Sequence, residues 1–187
     1  MSVQSGMSQN HDREGSKNYN LSVAHGEPGN SISGGAFVNS LTDGGAYKSF
    51  GGNVAAEKSG FGGSLSAVHT HGGNQATASA SMNLMKTENH KVGVNTFATS
   101  TMPKNGSNFV THGGGVDYSY KNTLGATASV SHTPMFKQTD YKVGAGLNLH
   151  QTPSSAVNLN LGASRTDFPN HRGNWQKGML FNVRKDF

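Results

Sequence analysis

The sequence predicts an all-β protein, an antiparallel meander of about ten to twelve strands that curls into a closed or nearly closed β-barrel with two duplicated halves. Apolar residues alternate with small polar residues through most of the chain, which is the period of a strand with two unlike faces. Turn signals rich in Gly, Asn and Asp separate these runs, and short turns join antiparallel neighbours. The middle of the chain also repeats itself, which indicates a sheet built from repeated hairpins.

The repeat keeps an offset of 62 to 65 residues across about 50 residues. Three pairs of segments match in the same order: Gly62–Thr70 with Gly125–Thr133, Met82–Thr87 with Leu147–Thr152, and Lys91–Thr101 with Ala156–Thr166. The two copies therefore cover about 31–101 and 93–166. Both belong to a single β domain predicted over 17–187.

The first half begins with a stretch that lacks any periodicity, residues 1–16, which we expect to be a disordered arm. Alternating runs follow it, separated by turns predicted at Gly26–Asn30, at Thr42–Gly45 and at Glu57–Gly60. Within each strand, the positions expected to share a face are, in order, Tyr19, Leu21 and Val23; Ile32, Ala36 and Val38; Phe61, Leu65 and Ala67; Ala76, Ala78, Ala80, Met82 and Leu84; and Val92 and Val94.

The second half continues the same alternation, with a turn at Met102–Gly106 and a longer loop at Thr133–Asp140. Its strand positions are Val116, Tyr118 and Tyr120; Leu124, Ala126 and Val130; Tyr141, Val143 and Leu147; and Val157, Leu159 and Leu161. A last strand at 175–187 is expected to close the sheet. Its in-phase residues are expected to be buried, and they are Met179, Phe181, Val183 and Phe187.

Composition narrows the class of protein further. Charged residues make up 13% of the chain, about half of the usual ~25%. The absence of Cys excludes a disulfide scaffold, and no run of about 18 apolar residues predicts a membrane-spanning helix. Two environments stay open: a water-soluble barrel with its apolar residues inside, and a lipid-facing barrel with them outside.

Charge is divided unevenly along the chain. Residues 1–90 carry five Lys or Arg and six Asp or Glu, a balance of −1, whereas residues 91–187 carry ten and four, a balance of +6. A basic half attracts polyanions such as phosphate-rich lipid surfaces and lipopolysaccharide. The alternative is that this charge serves solubility alone.

A search for catalytic or cofactor-binding patterns finds no convincing one, so the sequence predicts a protein that is not an enzyme and needs no cofactor or metal. His69 and His71 place two imidazoles on one strand face, which could hold Zn or Cu together with a third ligand. His132 is the repeat mate of His69, however, and this favours an architectural role for both. No Gly-x-Ser-x-Gly occurs. The Gly runs at 51–52, 72–73 and 113–115 lack a following Lys-Ser/Thr, and we expect bulges or strand crossings there.

An aromatic and basic patch could bind the bases of a nucleic acid. It consists of Tyr118, Tyr120 and Lys121. Packing of one Tyr face is the simpler interpretation, and no nucleic-acid partner is expected.

The chain resembles the attacin family in the order and spacing of several short segments and in its length. Attacins are Gly-rich insect immune proteins with duplicated Gly-rich domains. The resemblance is carried by Asn89–Val92, Phe97–Thr99, Met102-Pro103, Gly113–Tyr118, Gly125–Ser129, His132-Thr133, Asp140-Tyr141, Leu147–Leu149 and Thr152-Pro153. It covers about residues 17–187. It implies an infection-induced, haemolymph-secreted protein that acts mainly on the outer membrane of Gram-negative bacteria. The family has no established catalytic residues to carry over.

The predicted function is therefore an antibacterial effector that binds lipopolysaccharide and the bacterial outer membrane through the basic second half and disturbs that membrane. The candidate contacts are Lys91, Lys104, Lys121, Lys137, Lys142, Arg165, Arg172, Lys177, Arg184 and Lys185. The alternative function is a bacterial outer-membrane β-barrel with a structural or transport role. The resemblance implies secretion, but Met1–Asn10 lacks an apolar leader region, so an intracellular location stays open. The oligomeric state is left open as well.

Overall fold

A computed structural model describes residues 2–11, 17–27, 29–40, 47–121, 123–152 and 155–185. Within these ranges the chain forms thirteen antiparallel strands and one short 3-10 turn. Strand order follows chain order from β1 to β12, and β13 pairs with β11. The predicted all-β antiparallel meander is confirmed. The number of strands in the described residues, thirteen, exceeds the predicted ten to twelve by one.

The strands are long, mostly ten to fifteen residues. Their bounds are β1 Ser2–His11, β2 Lys17–Glu27, β3 Asn30–Ser40, β4 Tyr47–Lys58, β5 Phe61–Thr70, β6 Gly73–Lys86, β7 His90–Pro103, β8 Phe109–Tyr120, β9 Leu124–Thr133, β10 Gln138–Thr152, β11 Ser155–Phe168, β12 His171–Arg172 and β13 Gln176–Lys185. The 3-10 turn, Pro134–Phe136, joins β9 to β10.

The offset of the sequence repeat is also the offset of the strands. The first residues of β4, β5, β6 and β7 lie 62 to 65 positions before those of β8, β9, β10 and β11. The side chains repeat as well: Phe50 stacks on His69 at 4.9 Å between ring centroids, and in the second copy His112 meets His132 at 5.8 Å. The second ring of each pair also contacts the start of the next strand, through Asn74 or Thr139.

The chain divides into two compact units. Unit 1 consists of Met1–Ser81 and Phe97–Val110, and unit 2 of Met82–Thr96 and Thr111–Phe187.

In unit 1, the paired registers of β2 to β5 collect most of the large apolar side chains on one face, while Phe37 and Val68 lie on the other. One row across the sheet is Val23, Gly34, Val54 and Leu65. The adjacent row on the opposite face is Ser22, Gly35, Asn53 and Ser66. Period-2 alternation produces this separation directly, because successive side chains of a strand point to opposite faces.

The apolar face of unit 1 is the more exposed one. Along β5, Phe61, Leu65 and Ala67 are exposed, whereas the intervening Ser64 and Ser66 are half-buried. Leu65 retains 60% of its accessible surface. This reverses the usual arrangement of an antiparallel sheet in water, in which the apolar face is covered.

In unit 2, the same separation extends from β8 to β13. One apolar row is Tyr118, Ala126, Ala145, Leu161 and Met179, and the next is Val116, Ala128, Val143, Ala163 and Lys177. The row between these two lies on the opposite face and consists of Asp117, Thr127, Gly144, Gly162 and Gly178. No hydrophobic side chain among the described residues of the chain is fully buried.

Hydroxyl pairs join neighbouring strands on the small polar face. Ser64 and Ser79 lie 2.7 Å apart and Thr77 and Thr99 2.9 Å apart in unit 1. In unit 2, Thr111 and Thr133 lie 2.7 Å apart, and Thr133 is 5% exposed. Cross-strand Thr and Ser pairs each stabilise a sheet by about 0.2–1 kcal/mol. The polar face therefore supplies part of the cohesion that an apolar core supplies elsewhere.

Two parts of the sequence interpretation need correction at the ends of the chain. Residues 2–11, inside the expected disordered arm 1–16, form β1, because their backbone completes a ten-residue ladder along β2. In β13, Met179 and Phe181 share a face as predicted, but they are 73% and 57% exposed rather than buried. Their register places them beside Leu161 and Leu159, on the uncovered apolar face.

The predicted closure of the sheet by the last strand is not seen in the described residues, where β13 pairs with β11 and the strand order contains no ladder between β13 and β1. The positions outside the described residues include the predicted turn Thr42–Gly45 and Phe187, and the side chain of Val183 is also outside them.

The Gly runs are not bulges in the strands where they occur. Gly51 and Gly113 lie in uninterrupted register with β5 and β9. A Cβ on Gly51 would meet the carbonyl oxygen of Ala67, and one on Gly113 would meet that of Val130. These positions are Gly because the neighbouring backbone lies too close for a side chain.

Replacing Gly113 by Ala is expected to lower the free energy of unfolding by about 1–3 kcal/mol, the cost of overpacking. The added Cβ would also lie 2.8 Å from Ser131. Urea unfolding followed by circular dichroism measures the change. Gly178→Ala is the matched control, because no atom lies within 4 Å of its Cβ position, and equal losses in both variants would contradict the close approach.

Candidate functional site

The exposed apolar face of unit 2 contains a shallow groove across β10, β11 and β13. Val143, Ala145, Leu161, Ala163 and Met179 line it. It encloses about 570 Å³. Small Ala side chains between larger Val, Leu and Met side chains produce this depression, and the groove suits a slender apolar group.

Lys177 lies at the margin of this groove, on the apolar face. Its register partner is Ala163, and it is exposed. A Lys stem can lie along apolar surface while its ammonium group stays in a polar environment. The groove therefore combines an apolar floor with a cation at its edge.

Arg165 forms the centre of an aromatic cluster near one end of the same face. Its guanidinium group lies 4.8 Å from the ring centroid of Tyr141 and 5.1 Å from that of Trp175. Its Nη2 donates to Asp167 at 3.0 Å, and the side chain is 11% exposed. Its buried Nε has no hydrogen-bond partner among the described residues. Stacking and the ion pair thus hold this cation within the protein surface.

Asp167 also fixes the chain segment that carries Trp175. Its Oδ1 accepts a hydrogen bond from the Gly173 backbone N–H at 3.1 Å. A Cβ on Gly173 would meet the carbonyl oxygen of Thr166, so this close approach requires Gly. The carboxylate therefore positions both the guanidinium and the segment between β12 and β13.

A second aromatic cluster lies at the C-terminal end of β8. His90 Nδ1 and Tyr118 Oη lie 2.9 Å apart, and the rings of His90 and Tyr120 are 5.0 Å apart. Lys121 Nζ lies 5.5 Å from the Tyr120 ring centroid. The three residues of the predicted aromatic and basic patch thus contact one another or His90. This agrees with the packing interpretation of the patch.

The structure places the ten predicted contact residues at scattered positions. Seven are exposed: Lys91, Lys104, Lys121, Lys137, Lys142, Arg172 and Lys177. Arg165 is largely covered and paired with Asp167, so it is a poor candidate for long-range attraction. The side chains of Arg184 and Lys185 lie outside the described part of the chain.

Two of the exposed cations occupy left-handed backbone. Lys121 has φ 48° at the turn after β8, and Lys137 has φ 49° after the 3-10 turn. This conformation costs a non-Gly residue about 1–2 kcal/mol. Gly would adopt the same backbone at both turns without this strain.

Among the described residues, no third potential ligand joins the two imidazoles of the His69-Thr70-His71 segment in a metal site. His69 Nε2 lies 3.3 Å from Tyr47 Oη, and its Nδ1 contacts Asn74. The Tyr47 ring lies 5.5 Å from that of His71. Within the described residues no group of three potential His, Cys, Asp or Glu ligands is found.

Sequence reasoning missed the cluster around Arg165. Trp175 lies ten positions away, across the β11–β12 turn. Alternation identified Tyr141 as a strand residue, but it gave no indication that Arg165 is its cross-strand partner. The chain's single Trp, beside a cationic strand end, was the one available signal.

The fold and its exposed apolar face together define a class of protein, an antiparallel meander of long strands whose large apolar side chains are exposed. A model of the attacin C-terminal region matches residues 70–187. The chain belongs to the attacin family.

Relatives with curated names support the same assignment. Defense protein 3 of Lonomia obliqua is 39% identical over 131 residues, which cover 68% of this chain and 56% of that protein. Attacin-E of Hyalophora cecropia is 37% identical over the same shares. The matched region thus spans about half the length of these relatives. Attacin-B of Drosophila melanogaster is 30% identical over 90% of this chain and 73% of its own.

A solved structure shares the fold. The anion-selective porin from Comamonas acidovorans aligns with a TM-score of 0.57 and 14% identity, over 90% of this chain and 59% of the porin. At this identity the likeness concerns the fold alone. In the described residues, no helix is long and apolar enough to cross a membrane.

Replacing Arg165 by Ala is expected to lower the free energy of unfolding by about 2–4 kcal/mol, since it removes two stacking contacts and leaves Asp167 without its cation. Urea unfolding measured by the fluorescence of Trp175 reports on the cluster directly. Arg172→Ala removes an exposed cation nearby and should stay within about 0.5 kcal/mol of the parent. Parent-like stability of Arg165→Ala would show that the cluster does not stabilise unit 2.

Replacing Lys137 by Gly is expected to raise the free energy of unfolding by up to about 1 kcal/mol, because Gly adopts positive φ without strain. Lys142→Gly should do the opposite, since Gly in the middle of a regular strand such as β10 costs about 0.5–1 kcal/mol. Thermal unfolding of the two variants checks the pair. A loss of stability in Lys137→Gly would show that the Lys side chain stabilises this turn.

Proposed function

We propose that this protein is a secreted, non-enzymatic antibacterial effector that binds lipopolysaccharide at the outer membrane of Gram-negative bacteria and disturbs that membrane. The observation that carries the proposal is the exposed apolar face of unit 2 with Lys177 on it. Lipopolysaccharide combines phosphate groups with acyl chains, and this surface offers a partner for each. Membership of the attacin family, whose relatives include one named as a defense protein, supports the same proposal.

Electrostatics is proposed to supply the first contact. The second half carries the excess of +6. Arg165 contributes little to an outward field because Asp167 neutralises it at 3.0 Å. The exposed Lys residues at turns and on strands are then the attractors, because flexible ammonium groups can reach phosphates without a built pocket.

Apolar contact is proposed to follow the electrostatic encounter. Val116, Val130, Val143, Leu161 and Met179 are all exposed on unit 2. Moving such surface from water to acyl chains is favourable by about 25 cal/mol per Å². Binding through both terms would insert side chains between lipids and loosen their packing, which is the proposed disturbance.

Reversing the charges of Lys121, Lys137 and Lys142 together to Glu should weaken binding to lipopolysaccharide more than reversing Lys17, Lys48 and Lys58. Both sets remove three cations, so total charge is matched. Titration with fluorescent lipopolysaccharide measures the affinities. Parent binding should weaken with added salt, because surface charges are screened over about 8 Å at physiological ionic strength.

Equal losses in the two triple variants would contradict binding through the second half. Binding that ignores salt would contradict electrostatic attraction to phosphate. Killing of Gram-negative cells by the two variants should follow the order of their affinities.

A further inference from the structure

We propose that the groove face of unit 2 is a one-sided acyl-chain contact surface, with the Tyr141–Arg165–Trp175 cluster at the headgroup boundary of the membrane. The occupant is the hydrocarbon of a membrane whose headgroups carry phosphate. This inference rests on the proposed function and adds to it which face enters the lipid and where the lipid boundary falls.

The apolar groove and the aromatic cluster occupy successive positions along the same strand. Leu161 in the groove and Arg165 in the cluster share a face of β11 and are four residues apart. At about 3.3 Å per residue, the two lie about 13 Å apart along the strand. The face therefore changes from purely apolar to aromatic and cationic over a distance comparable with one leaflet's acyl chains.

The chemistry of the cluster suits a membrane boundary. Trp and Tyr have an apolar ring with a polar tip and concentrate where hydrocarbon meets headgroups. Trp175 is 43% exposed, so its ring is available to lipid. Arg165 is covered by the two rings and neutralised by Asp167, which makes its position beside hydrocarbon tolerable.

Charge complementarity identifies the occupant. Lys177 lies at the margin of the groove, paired in register with Ala163, in the row of groove residues that is nearer to the cluster than the row of Leu161 and Met179. Its stem can follow the apolar surface while its ammonium group reaches the boundary, where a phosphate would neutralise it. An apolar protein partner offers no such anion, so the cation at the margin favours a phosphate-bearing lipid.

The opposite face of β11 is unsuited to hydrocarbon. The positions that alternate with the groove residues on β11 are Asn160, Gly162 and Ser164, and Asp117 belongs to the same opposite face on β8. A carboxylate and an amide in hydrocarbon would lose their hydration without replacement. Lipid contact should therefore alternate residue by residue along β11.

A tryptophan scan tests this alternation, because the chain contains a single Trp. Three full-length variants in a Trp175→Phe background carry Leu161→Trp, Val143→Trp or Asn160→Trp. Each variant is mixed with vesicles of phosphatidylcholine and lipopolysaccharide. The phosphatidylcholine acyl chains carry bromine, which quenches Trp fluorescence, either near the headgroups or near the chain ends. Far-UV circular dichroism confirms that each variant keeps its β-sheet.

Leu161→Trp and Val143→Trp are expected to show at least about twofold more quenching by deep bromines than Asn160→Trp, as for an apolar face immersed in the acyl region. The parent Trp175 should instead be quenched most by bromines near the headgroups.

Vesicle binding with equal quenching at positions 160 and 161 would overturn the one-sided surface while leaving the proposed function intact. Deep quenching of Trp175 would overturn the boundary. Failure of the parent to bind any lipopolysaccharide vesicle would overturn the proposed function and this inference together.

Discussion

The structure depends on one constraint, the two-residue alternation between small polar and apolar side chains along most of its strands. Register carries this alternation across neighbouring strands, so that Val23, Val54 and Leu65 share one face, while Ser22, Asn53 and Ser66 share the other. On β5 the Ser side chains are half-buried and the apolar ones exposed. The sheet is consequently held by its ladders and hydroxyl pairs, and its apolar face stays exposed.

Glycine makes this arrangement possible at the closest points. Positions such as Gly113 and Gly173 lie against neighbouring carbonyl groups, where a side chain would collide. Gly93 similarly accommodates the Asp117 carboxylate, whose oxygens would lie 2.6 and 2.8 Å from a Cβ there. The Gly-rich composition is therefore a packing requirement of tightly apposed strands in addition to a source of turns.

Fold and function diverge in an instructive way in this chain. The porin likeness extends over most of the chain at 14% identity, whereas family membership rests on sequence similarity to attacins. At this identity the likeness to the porin concerns the arrangement of the strands alone. The basic second half and the cluster around Arg165 are features of this chain, and they give the shared fold its own surface chemistry.

The sequence by itself determined the strand period, most of the turns and the repeat, because these are local properties of two to ten consecutive residues. The alternation of Phe61, Leu65 and Ala67 identified which residues share a face, and the −1 and +6 halves identified where cations concentrate. Only the tertiary structure decided which face is exposed, since alternation is symmetric between inside and outside; Met179 and Phe181 were assigned to the right face and the wrong environment. The environment of Arg165 was likewise decided by cross-strand register with Tyr141 and by the turn that returns Trp175, two long-range relations that no local pattern encodes.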